Sequence, residues 1–157
     1  MKAYLSNCFL LYIPIIAWNV LLSTHLPESY QDERWNNIPN WLLLLENTSR
    51  PALYIIPMFM QLRWKTNQQK LGIGIYTAGL LLYFISWLLQ IFFPNSDWSL
   101  TYIGFAAPAF TALFWLIGIG ITGHQLYYPR RWILPLYWIL TLVFMLAHIG
   151  HTWVVFY

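Results

Sequence analysis

The chain has 157 residues, 59% of them hydrophobic and only 8% charged, with a mean hydropathy of +0.53. A soluble domain carries about a quarter charged residues, so there is too little charge here to cover a water-facing surface. The composition is that of an all-α integral membrane protein, and residues 1–157 suit one transmembrane helical bundle with no separate soluble domain. The net charge of +3 does not point to nucleic acid, because the basic residues lie between apolar runs rather than along one polar face.

In chain order, the first apolar run covers 7–26. It follows Cys8 rather than preceding it, unlike the run before a lipoprotein cleavage box, and no A-x-A-like site precedes Pro27, so an uncleaved span is expected. Cys8 is the only cysteine, which excludes an intramolecular disulfide and a thiolate metal cluster. Crossing about 30 Å of hydrocarbon takes about 20 apolar residues. Further runs at 41–62, 71–93, 100–123 and 132–153 approach that length, predicting a bundle of five transmembrane helices with short loops. The second run admits an alternative: "WLLLLEN" lies flat in the interface, and Thr48 or Ser49 caps a shorter helix with Pro51 in its first turn.

Charge distribution sets the orientation. Lys2, Arg63, Lys65, Lys70, Arg130 and Arg131 fall on one side of a five-span chain, whereas the alternate loops hold Arg34 beside Glu28, Asp32, Glu33 and Asp97. The positive-inside bias then predicts a cytoplasmic N-terminus and an extracytoplasmic C-terminus. Short loops and the lack of a transit peptide point to a bacterial inner (plasma) membrane. The expected partners are the lipid bilayer and either further copies of the chain or another membrane protein.

Polar residues within spans turn away from lipid, so their spacing marks the inward faces. Those faces are predicted to carry Asn19 and Ser23 in the first span, Glu46, Arg50 and Tyr54 in the second, and Gly79, Tyr83, Ser86 and Gln90 in the third. The fourth has a stripe running from Thr101 through Gly104, Pro108, Thr111, Trp115 and Gly118 to Thr122, and the fifth has Thr141, His148 and His151. Small residues on such stripes are ordinary helix-packing positions. Strong charges are a different matter: of eight Lys and Arg and five Asp and Glu, all but Glu46 and Arg50 lie in or beside loops.

Glu46 and Arg50 are one helical turn apart and can neutralise each other. At about 1.5 Å per residue they lie about 8 and 14 Å below the outer surface, and His148 and His151 lie about 24 and 28 Å above the cytoplasmic start of the fifth span. Glu46, Arg50, Asn19, Gln90, His148 and His151 therefore form the candidate ligand-binding set, all in the extracytoplasmic half. The expected function is binding, or helping to transport, a small ligand, lipid headgroup or ion. An alternative is a metal- or haem-dependent enzyme or redox protein using His148 and His151, whose imidazoles project from one face and suit zinc, copper or haem iron. In that alternative the cofactor is a metal or haem, with a third ligand supplied by Glu46, His25 or Asp97. A third reading is a structural accessory subunit in which Glu46 and Arg50 clasp the second helix in place.

No G-x-S-x-G elbow, P-loop or Rossmann glycine triplet occurs. "HIGH", His148 to His151, matches a nucleotide-binding signature of aminoacyl-tRNA synthetases, but an apolar span is the wrong context for it. "ENTSRPALYIIP", Glu46 to Pro57, resembles the arginine-containing second span of polytopic acyltransferases, with His25 standing for their early histidine. The resemblance covers about a tenth of the chain and lacks the glycine expected afterwards, so it assigns no family.

Overall fold

The computed structural model describes residues 6–30, 37–128 and 130–157. Lys2, Asp32, Glu33 and Arg34, used above for orientation, lie outside the described residues. The fold is an all-α bundle of five helices. The first pass is a 3-10 turn at Cys8–Tyr12, α1 at Ile13–Leu22 and a 3-10 turn at Ser23–His25. Pro14 lies in the first turn of α1, where its missing N–H leaves no bond unmade. Helix α2 covers Asn40–Ile55 and tightens into a 3-10 turn at Ile56–Phe59. Helices α3, Asn67–Phe92, and α4, Tyr102–Thr122, start from threonine caps, with Thr66 and Gln69 forming a reciprocal capping box. Helix α5 spans Ile133–Phe156.

The second pass is one rod, not an interfacial segment followed by a short helix. Thr48 and Ser49 do not cap; their hydroxyls donate to the carbonyls of Leu44 and Leu45 at 2.7 and 2.6 Å. Such back-bonding satisfies a hydroxyl where no water is at hand. The helix does stop short of the expected Leu62, because Pro57 follows the switch to 3-10 and Met60 is already extended.

At that point three chain segments interlock: Cys8 N donates to Met60 O, Leu62 N to Ser6 O, Gln61 N to Gln125 O and Tyr127 N to Phe59 O, all at 2.8–3.0 Å. The start of the first pass, the α2–α3 connection and the α4–α5 connection thus share one end of the bundle. At the other end, Ile38 and Leu42 pack with Phe105, Ala147 and Val155. The stretch Asn40–Phe59 therefore traverses the bundle as the other four passes do.

Four passes, Cys8–His25, Asn67–Phe92, Tyr102–Thr122 and Ile133–Phe156, are long and apolar enough to cross a membrane. The 16-residue α2 carries both span charges and falls short of that standard alone. Large apolar side chains such as Val20, Leu21, Leu71, Ile85, Phe92, Leu142 and Leu146 are exposed, as a lipid-facing exterior requires. The chain is an integral membrane protein.

Helix α4 is central, and α3 packs along it in antiparallel register. An added Cβ at Gly118 would lie 2.4 Å from Tyr76 N, one at Gly79 would lie 2.6 Å from Trp115 N, and one at Gly72 would lie 2.6 Å from Thr122 N. These glycines allow backbone-to-backbone approach and place Gly79, Tyr83, Ser86 and Gln90 on the buried face of α3.

Candidate functional site

On α2, Leu42, Glu46, Ser49 and Leu53 recur at steps of three and four and are all buried. That face meets α5, where Thr141, Phe144, Met145, Ala147 and Thr152 are buried. Glu46 is enclosed between the two helices with its side chain 3% exposed. Its Oε1 accepts from Arg50 Nη2 and from His148 Nδ1 at 3.0 Å, and its Oε2 accepts from His151 Nδ1 at 2.5 Å. One carboxylate thus gathers the only base within its own helix and both histidines of α5.

The chemistry of this contact fixes the rings. An ionised carboxylate only accepts, so each Nδ1 donates and carries a proton. In a neutral imidazole the lone pair is then on Nε2. His148 is further held by stacking on Phe144, with ring centroids 5.1 Å apart, and the Arg50 guanidinium lies 5.8 Å from the same ring. A cation over an aromatic face gains electrostatic attraction in a dry setting.

Beside this contact lies a cavity of about 240 Å³. Arg50 and His148 form part of its wall, with Asn19 of α1, Tyr83 of α3 and Thr152 of α5. The rest is apolar or aromatic, including Tyr54, Trp87, Trp115 and Phe144. Glu46 and His151 are not on the wall; they stand behind it. Glu46 therefore acts as a positioning group, holding Arg50 and His148, the two basic side chains that border the cavity. Asn19 Oδ1 accepts from Tyr83 Oη at 2.5 Å, which ties α1 to α3 across the cavity. On the same wall, Tyr30 Oη donates to Phe105 O at 2.6 Å, and burial pushes its phenol above the ordinary value, so it stays a donor.

No protein-family model, curated relative or solved structure matches this chain.

Of the six candidate residues, the structure brings Glu46, Arg50, His148 and His151 into direct contact and puts Asn19 on the same cavity. Gln90 is elsewhere: its amide donates to Gly104 O at 2.7 Å and borders a second cavity of about 270 Å³. Phe105 lines both cavities and stands between them. Ser23, expected inward beside Asn19, is exposed: its N–H donates to Asn19 O, so it keeps the helical step, but it closes the last α-turn of the first pass and begins a 3-10 turn in which Ser23, Thr24 and His25 are all exposed. His25 is exposed and contacts Thr24 Oγ1 at 3.3 Å. Among the described residues, no group of three or more His, Cys, Asp and Glu is arranged to hold a metal ion. A metal at the histidines would have to take Nε2, since both Nδ1 atoms face Glu46. Sequence reasoning put Trp115 on the inward stripe of the fourth span but missed Trp87 and Phe144 as walls; their only signal is position one turn from Tyr83 and His148.

Proposed function

We propose that the protein binds, or helps to carry, a small amphiphilic molecule in the cavity beside Glu46, in the extracytoplasmic half of a bacterial inner membrane. The carrying observation is that Glu46 is engaged from behind by Arg50, His148 and His151, while Arg50 and His148 border a largely apolar and aromatic chamber. Arg50 has five N–H donors and a carboxylate or phosphate oxygen is their natural acceptor. Neutral His148 offers Nε2 to a hydroxyl or another donor. The aromatic walls suit an apolar or planar body, as in most small-molecule sites. The orientation rests on Arg63, Lys65, Lys70, Arg130 and Arg131 belonging to the connections that interlock at the opposite end, which the positive-inside bias assigns to the cytoplasm.

The test is solvent extraction and mass spectrometry of the purified protein, compared with Arg50→Gln and Ala112→Phe, the latter placing a ring in the cavity. The wild type should release one small molecule in near-stoichiometric amount, absent from both variants. An empty wild type, or equal release from all three, would overturn the reading. The near-complete burial of Glu46 favours a second reading, a clasp between α2 and α5. The two part company at Arg50→Gln: a clasp loses folded yield, whereas a pocket loses its occupant at unchanged yield.

A further inference from the structure

At the basic end a different cavity, of about 450 Å³, opens between α2 and α5. Its walls are apolar: Ile55 and Phe59 on one side, Leu136 and Leu140 on the other. Ala52 contributes only a methyl group, which leaves the groove open. Ile55 and Phe59 are half-exposed, at 53% and 41%, so the groove faces the surrounding lipid. Tyr128, Arg130 and Trp132 also line it, an aromatic pair and a base of the kind found at a membrane–water boundary. Arg130 also lines a neighbouring cavity of about 310 Å³ with Arg131 and His124.

We infer that this groove is a binding site for one anionic glycerophospholipid, its acyl chain between α2 and α5 and its headgroup phosphate on Arg130 and Arg131. Charge complementarity carries the choice of occupant. Among the described residues the acidic side chains are Glu28 and Asp97, in the two connections at the opposite end, and Glu46, which is already engaged by Arg50 and both histidines. Arg130, Arg131, Lys65, Lys70 and Arg63 therefore crowd one end with no carboxylate side chain among the described residues to neutralise them. Arg130 lines the groove and also shares the neighbouring cavity with Arg131, so a phosphate held by Arg130 has a second guanidinium in the adjoining cavity, and guanidinium groups match the planar, bidentate geometry of a phosphate. Basic pockets between membrane helices recognise anionic headgroups in this way. A second copy of the chain is a poor occupant, because two-fold pairing through the groove would set Arg130 of each copy against the other. A soluble anion would leave the apolar walls unused.

The site is independent of the cavity beside Glu46, which borders neither arginine. The test is native mass spectrometry of full-length protein stripped of lipid in a neutral detergent, titrated with phosphatidylglycerol or with phosphatidylcholine of identical chains. Phosphatidylglycerol should bind at least about tenfold more tightly. Arg130→Gln/Arg131→Gln should bring it down to the phosphatidylcholine level, Arg130→Lys/Arg131→Lys should restore part of the preference, and Leu136→Trp should weaken both lipids by filling the groove. Equal binding of the two lipids, or full preference in the double glutamine variant, would overturn the site. So would displacement by millimolar inorganic phosphate, which marks a free-anion site, or lipid-independent dimers lost in Leu136→Trp, which mark a protein interface.

Discussion

The α3–α4 and α2–α5 contacts join neighbouring antiparallel helices in opposite ways. Between α3 and α4 the closeness comes from absent side chains: Gly72, Gly79 and Gly118 let backbones touch, and no charge is involved. Between α2 and α5 a buried carboxylate does the joining, and α2 is too polar and short to meet the span standard that α3, α4 and α5 satisfy. Close packing of glycines leaves no room for anything else. A contact made by long polar side chains holds helices further apart, and the cavity lined by Arg50 and His148 lies beside it. The lesson is that a chemically capable site is found where the bundle is held by polar groups rather than by packing density.

The largest effect should come from removing the carboxylate. Glu46→Leu leaves Arg50 and two imidazole Nδ1 groups without their shared acceptor; the imidazoles are the more enclosed, and two enclosed donors left unpaired cost about 3 kcal/mol together, read as a lowered midpoint of unfolding in detergent. Gly118→Ala attacks the other contact: its Cβ meets Tyr76 backbone, which cannot swing aside. Overpacking of this kind costs about 2 kcal/mol, and the same midpoint should fall without any change in molecules bound beside Arg50. Tyr83→Phe deletes the bond to Asn19, worth about 1 kcal/mol, and should weaken ligand retention more than stability because both residues border the cavity. Ser23→Ala, at an exposed position, should change the midpoint by no more than about 0.5 kcal/mol; a larger loss would return Ser23 to the interior.

Much of this contrast is legible before any coordinates. Apolar runs mark the passes, because hydrocarbon length is a coarse requirement that composition alone can meet. The buried face of α3 also follows from spacing, since Gly79, Tyr83, Ser86 and Gln90 keep one phase over an uninterrupted helix. Phase does not suffice at a helix end, where Ser23 keeps the α-helical step from Asn19 yet lies with Thr24 and His25 in an exposed terminal turn. The end of α2 is hidden for a different reason: Met60, Gln61 and Leu62 suit helix or extended chain equally, and what selects the extended form is pairing with Ser6, Cys8 and Gln125, distant in sequence. Depth arithmetic places Glu46 and both histidines in one layer, but depth says nothing about direction. Gln90 shares that half of the bundle yet faces another cavity, with Phe105 between.

The bond from each histidine to Glu46 is the most direct thing to measure. Nitrogen NMR of the protein labelled at histidine reports which ring nitrogens are protonated. His148 and His151 should both carry a proton on Nδ1 and both should lose that preference in Glu46→Leu. A wild-type protein in which either Nδ1 is bare, with the proton on Nε2 instead, would contradict the joining of α2 and α5 through this carboxylate.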